Sequence, residues 1–251
     1  MKKNMAGEHS SAPASEVERK MTLKTIHHQI VESAGPNWDI HQLATMSRQA
    51  LSRILYWNTL YQRILDVPGI IVECGVHYGA SLAVLGNLRG IYEPYNFSRQ
   101  IIGFDTFAGF VGVDSARDGT QSANGDYATS QNYEQVLHQV LEFHRLNSPL
   151  AHVQKFALIK GDASQTVPAY FAENPHKIVA MAIFDMDIYK PTKDALQAIW
   201  PQLVKGSLLV FDEFNCDTFP GETQAVMEVL DLHGYRMERL PDMPFCAFVQ
   251  L

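Results

Sequence analysis

Residues 178–192 read IVAMAIFDMDIYKPT, an unbroken apolar run that closes on two carboxylates, Asp185 and Asp187. A short apolar run bounded by polar residues fits a strand buried on both faces, as in a parallel sheet. Ligands of open α/β sheets bind outside the carboxyl ends of the strands. Asp185 and Asp187 are therefore expected at the rim of a cleft. Residues 207–214, SLLVFDEF, repeat the design and end in Asp212 and Glu213. Four carboxylates at two strand ends offer a hard divalent cation a suitable oxygen seat.

Working outward, the same pattern recurs upstream. Strands are expected over 69–75 (GIIVECG), 101–105 (IIGFD) and 156–162 (FALIKGD), and helices over 77–89, 132–145, 191–203 and 218–233. Segments 235–240 and 244–251 are expected to close the sheet as a hairpin. Alternating strands and helices argue for a Rossmann-like α/β fold: a mostly parallel seven-stranded sheet with helices on both faces. This domain is expected to span 67–251. Residues 106–131 form a long, glycine-punctuated connection. A connection of that length inside a compact domain reads as a lid or substrate loop.

Residues 1–20 read as a mobile tail and 21–66 as an N-terminal helical extension. Residues 21–34 are expected as a short amphipathic helix. Residues 37–67 carry Leu43, Met46, Ala50, Ile54, Trp57 and Leu60 at helical spacing, giving a long helix or two. That apolar stripe supplies core, or a lid in front of the sheet. It also motivates the expectation of a homo-oligomer joined through these helices.

Composition narrows the function. A net charge of −7 argues against nucleic acid or an anionic membrane as partner. No apolar run reaches the length of a membrane span, and the N-terminus lacks the apolar segment of a secretory signal. Three scattered cysteines, Cys74, Cys216 and Cys246, fit a reducing cytoplasm better than a disulfide framework.

Each of the first five strands ends at or near an acid: Glu73, Asp105, Asp162, Asp185 and Asp212. One such residue is an ordinary cap or turn former; five along one sheet edge describe an acidic cleft. The turn after the first strand, ECGVHYGAS, has Gly75 and Gly79 for a tight bend but His77 where a dinucleotide fingerprint has glycine. A cationic ligand suits Glu73 better than a pyrophosphate does. S-adenosylmethionine fits: its sulfonium and ammonium are cationic, and its ribose offers two hydroxyls to Asp105. Asp162 is then expected near the adenine amine.

VECGVHYGAS, GFDTFAGF, KGDASQTVP, FDMDIYKPT and VFDEF, in that order, resemble the metal-dependent class I O-methyltransferases related to macrocin O-methyltransferase. The resemblance covers about residues 69–229. It implies S-adenosylmethionine as donor and Mg²⁺ held by Asp185, Asp212 and Glu213. It implies a donor site built from Glu73, Gly75, Tyr78, Gly79, Ser81, Asp105, Thr106, Phe107, Gly161, Asp162, Ala163 and Asp185. Asp185 is then the candidate catalytic base, with Asp187 as second choice for base or ligand. The family commonly has two aspartates at the Asp212-Glu213 position and glycine at Met186. The implied acceptor is a hydroxylated small molecule, a sugar hydroxyl above all. His77 is a candidate wall of the donor pocket, Phe107 and Phe110 candidate covers of the adenosine, and Tyr189 and Lys190 candidate acceptor contacts. Two rival readings stay open on the residues alone. One is a glycosyltransferase using Asp185-Met186-Asp187 on a nucleotide sugar; the other is a binding protein that kept the fold without the chemistry.

Overall fold

The computed structural model describes residues 12–251 and, of the first eleven, only the backbone of the antiparallel pair Lys2–Lys3 and His9–Ser10. The rest of the expected tail up to residue 11 lies outside the described residues. Among the described residues the main sheet has six strands: β1 (Ile70–Cys74), β2 (Ile101–Asp105), β3 (Phe156–Lys160), β4 (Val179–Phe184), β5 (Leu203–Phe211) and β6 (Ala247–Gln250). Their spatial order is β3-β2-β1-β4-β5-β6, parallel except for β6, which runs antiparallel to β5. The order reverses between β1 and β4, and that switch point is where an open α/β sheet leaves a crevice.

The sheet is thus mixed and six-stranded, where seven strands were expected. The missing strand, over 235–240, is reduced to a single antiparallel bridge between Glu238 and Phe248. Glu238 and Phe248 exchange both backbone hydrogen bonds at that bridge, and Pro241 and Pro244 fall in the connection that follows it.

Among the described residues, seven helices of ten residues or more accompany the sheet: α1 (Ala14–Ser33), α2 (Arg48–Gln62), α3 (Ala80–Tyr92), α4 (Tyr133–Leu146), α5 (Ala163–Glu173), α6 (Tyr189–Ile199) and α7 (Pro220–Val229). Successive strand residues point to opposite faces, and two apolar layers result. Ile71, Ile101 and Met181 pack with Tyr56, Leu60, Leu82, Leu85 and Leu137 of α2, α3 and α4. Val72, Ile102 and Ala182 pack with Val167, Leu196 and Val226 of α5, α6 and α7. Burial of both strand faces explains the unbroken apolar runs.

The N-terminal extension departs from expectation. Helix α1 begins at Ala14 rather than Met21, inside the segment read as tail, and buries none of its residues. It is not amphipathic in effect; it packs mainly on the short helical turns over 38–45 that follow it. Only α2 joins the core, through Tyr56, Trp57, Leu60 and Tyr61. Its C-terminal end is held by the buried Arg99, which donates to the carbonyls of Ile64 (2.8 Å), Val67 (2.9 Å) and Gly69 (2.7 Å) and pairs with Glu93 at 2.8 Å. Tyr61 donates its hydroxyl to the same Glu93 carboxylate at 2.6 Å.

Candidate active site

The strand ends enclose a cleft of about 320 Å³. Its floor is the crevice between β1 and β4. Gly75 sits at φ +92°, and a Cβ there would run into the carbonyl oxygen of Asp185. Only glycine lets the two strand ends approach so closely. The amide of Asp185 in turn donates to the Cys74 carbonyl at 2.8 Å, so the Gly75 turn and Asp185 form one unit.

Ten of the residues expected from sequence line this cleft: Gly75, Asp105, Thr106, Gly161, Asp162, Ala163, Asp185, Asp187, Asp212 and Glu213. Asp105 accepts the amides of His77 (2.7 Å) and Phe107 (2.5 Å), one on each carboxylate oxygen. It thereby ties the turn after β1 to the start of the long loop. Asp162 caps α5 by accepting the Ser164 amide at 2.9 Å. Glu73, Tyr78, Gly79, Ser81 and Phe107 stand outside the lining. Glu73 is buried beneath it and accepts a hydrogen bond from Ser81. Burial drives its carboxyl up to about 8, with Asp105 and Asp212 adding to the shift and the Ser81 hydroxyl opposing it. Phe107 packs into the α2–α4 core layer, and Tyr78 lies edge-on to Tyr133. Of the candidate covers, Phe110 lines the cleft; His77 does as well.

The acidic end is electrostatically strained. Asp185 is pushed well above the ordinary carboxylate range by burial first, then by the charges of Asp212 and Asp187. Asp187 shifts the same way, through burial and then Glu213 and Asp212. Glu222 of α7, fully buried behind them, accepts the Glu213 amide at 3.0 Å and leaves its other oxygen without a partner among the described residues. Oxygen donors of this kind have the right chemistry for a hard cation. In the geometry present, no three His, Cys, Asp or Glu among the described residues converge as a ligand group.

Sequence reading missed two features of the wall. Arg53 of α2 is the one cation among the lining residues, and Tyr127 reaches in from the far end of the 106–131 loop beside Phe110, with ring centroids 5.2 Å apart. An arginine on the polar side of an amphipathic helix carries no local signal that it faces a cleft. Tyr189 and Lys190 do not line the cleft. Tyr189 lies under Arg117, and Lys190 pairs with Asp194. Among the described residues no helix is long and apolar enough to cross a membrane.

The profile of the family described as macrocin-O-methyltransferase (TylF) matches residues 33–237. Two crystal structures of CalS11 superpose closely. One, a calicheamicin methyltransferase, shares 35% identity over 100% of this chain and 98% of its own, with a TM-score of 0.89. The other, an apo form described as a TDP-rhamnose 3'-O-methyltransferase, shares 34% over 96% of each chain, with a TM-score of 0.82. The O-methyltransferase NovP shares the fold at 18% identity over 79% of each chain, with a TM-score of 0.59. No curated protein matches by sequence. Similarity over the full chain at this level leaves no room for the glycosyltransferase reading, and it removes the reading of a fold kept without chemistry. The chain belongs to the macrocin O-methyltransferase family and is an enzyme of the methyltransferase class.

Proposed function

We propose that the enzyme transfers the methyl group of S-adenosylmethionine to a hydroxyl of a sugar or sugar-containing precursor. The observation that carries this reading is that one cleft gathers Gly75, Asp105 and Asp162 together with Asp185, Asp187, Asp212 and Glu213. Asp105 keeps lone pairs for ribose hydroxyls after accepting two amides, and a cationic donor bound above the buried Glu73 would draw that acid toward its ionised form. The acceptor hydroxyl meets the carboxylates of Asp185 and Asp187.

The reaction is an in-line displacement. The acceptor oxygen forms a bond to the methyl carbon while the carbon–sulfur bond breaks and its electron pair stays on sulfur, giving a neutral thioether. The hydroxyl proton passes to Asp185, or to Asp187 beside it, as general base. Holding donor and acceptor in line supplies much of the roughly 7–11 kcal/mol that positioning can contribute. Asp185, Asp212 and Glu213 are the residues that would hold a divalent cation, which when bound lowers the pKa of a coordinated hydroxyl.

The test is calorimetric titration with S-adenosylhomocysteine, with and without Mg²⁺, on wild type and Asp105→Ala. Mass-spectrometric methyl transfer to TDP-rhamnose, the sugar nucleotide in the description of CalS11, follows. Micromolar binding lost in the variant, followed by a methylated product, is the expected result. Absence of S-adenosylhomocysteine binding under both conditions would discard the donor assignment.

A further inference from the structure

We propose that Asp118 is a positioning residue for methyl transfer. From the middle of the 106–131 loop, its carboxylate holds the Asp187 turn and the loop as one unit. The first residue of α6, Tyr189, has an amide that its own helix cannot satisfy, and the preceding Ile188 has no side chain that caps it. Asp118 supplies the cap from far along the chain: its Oδ1 accepts the Tyr189 amide at 2.6 Å, and its Oδ2 accepts the Asp114 amide at 2.8 Å. The residue is 0% exposed. Gly221, near the start of α7, packs so tightly here that a Cβ would collide with Asp118 Oδ1 and the Tyr189 nitrogen. Next to it, the Arg117 guanidinium lies 4.3 Å over the Tyr189 ring, pairs with Glu228, and its carbonyl accepts from Gln224 at 3.1 Å. The middle of the loop is therefore fastened to both α6 and α7.

What this fastening positions is Asp187. That residue stands at φ +63°, a left-handed conformation that a non-glycine residue keeps only where its surroundings enforce it. Tyr189 follows two residues later. Between them, Ile188 packs with Phe110 of the loop and Phe219 before α7. Phe110 lines the cleft while Asp118 does not, so Asp118 acts through the Tyr189 amide and never on substrate. The inference rests on the reading that Asp187 faces the acceptor.

The full-length wild type is compared with Asp118→Ala, Asp118→Asn and Gly221→Ala. The readouts are S-adenosylhomocysteine affinity, hydrogen exchange over residues 185–190, tryptic nicking after Arg117, and turnover of TDP-rhamnose. Arg117 is the one Lys or Arg between residues 100 and 144; nicking is read in Gly221→Ala, where the scissile bond is unaltered. Asp118→Ala and Gly221→Ala are expected to bind the thioether within about threefold of wild type while exchange rises and kcat falls about tenfold or more. Nicking of Gly221→Ala is expected to rise by a similar factor. Asp118→Asn keeps an acceptor for the Tyr189 amide but turns its NH2 toward the Asp114 amide, so it recovers part of the loss. Unchanged exchange over 185–190, loosened segments with unchanged kcat, or an Asp118→Asn no better than Asp118→Ala would each overturn the proposal. If Asp118→Ala does not fold, Gly221→Ala and Asp118→Asn decide it. If wild type does not methylate TDP-rhamnose, the acceptor reading fails separately, and exchange and nicking still decide whether Asp118 holds the turn.

Discussion

The Cys246 thiol, buried just before β6, lies 3.0 Å from Asp212 Oδ1 and donates its proton to it. Burial, and then the charge of Asp212, push this thiol far above its ordinary range. It is therefore a fixed donor rather than a nucleophile. Cys246→Ala removes the donor and opens a small void, so a loss of about 1–2 kcal/mol in urea unfolding is expected. Cys246→Ser keeps a donor and is expected to hold S-adenosylhomocysteine as wild type does. Iodoacetamide at pH 8 is expected to leave Cys246 of the folded protein unmodified, as peptide mapping would show.

Gly75→Ala places a Cβ against the Asp185 carbonyl at a positive φ. Either strain alone is costly, and together they separate β1 from β4 at the floor of the cleft. A loss of about 2–4 kcal/mol in unfolding free energy is expected, along with undetectable S-adenosylhomocysteine binding by calorimetry. Wild-type affinity in this variant would contradict the placement of the donor over the Gly75 turn.

Glu93 gives the molecule an acid-sensitive joint. Burial raises its pKa, but hydrogen bonds from Arg99 and Tyr61 and the Arg99 charge outweigh burial, and the net shift is downward. A folded-state pKa below the unfolded one means a contribution that is present above the unfolded value and is lost as pH falls through the folded one. Glu93→Gln leaves Arg99 buried without its counter-charge, so it is expected to cost about 3 kcal/mol at pH 7. The gap between variant and wild type is expected to narrow below about pH 4 in chemical denaturation series.

Glu73 behaves in the opposite sense. Its folded pKa of about 8 lies above the unfolded value, so folding favours the protonated acid. That contribution is fully present below the unfolded pKa and is lost as pH rises toward 8. Glu73→Gln cannot ionise, so its stability is expected to vary less than that of wild type between pH 5 and pH 9 in the ligand-free protein. Parallel profiles would show that Glu73 is ionised throughout.

The sheet was legible because parallel strands buried on both faces must be apolar along most of their length, as 178–184 and 208–211 are. Their terminal acids follow from where such a sheet leaves its crevice. Helix ends were less legible: α6 starts at Tyr189 rather than Pro191 because Asp118 supplies its cap from 71 positions away, and no local pattern announces a partner that distant. Only the first turns of α1, residues 14–20, looked like tail, because composition reports polarity rather than backbone state. Arg53 was invisible for a similar reason, since its role depends on how α2 lies across the strand ends. The outer hairpin shrank to the single Glu238–Phe248 bridge, a limit on pairing that hydropathy does not register.

All six of the cleft's carboxylates are fixed to strand ends or to the turns that follow them, whereas Arg53, Phe110, Val111 and Tyr127 arrive on α2 and on the long loop. These four residues lie outside the alternating frame. Their side chains, unlike the buried face of α2 and Asp118 of the loop, can be exchanged without altering strand register. Divergence among such enzymes can therefore run at two speeds, with the floor of the cleft held constant while its roof is rewritten for new acceptors. Grafting that roof from one member onto another is the corresponding route to an altered sugar specificity.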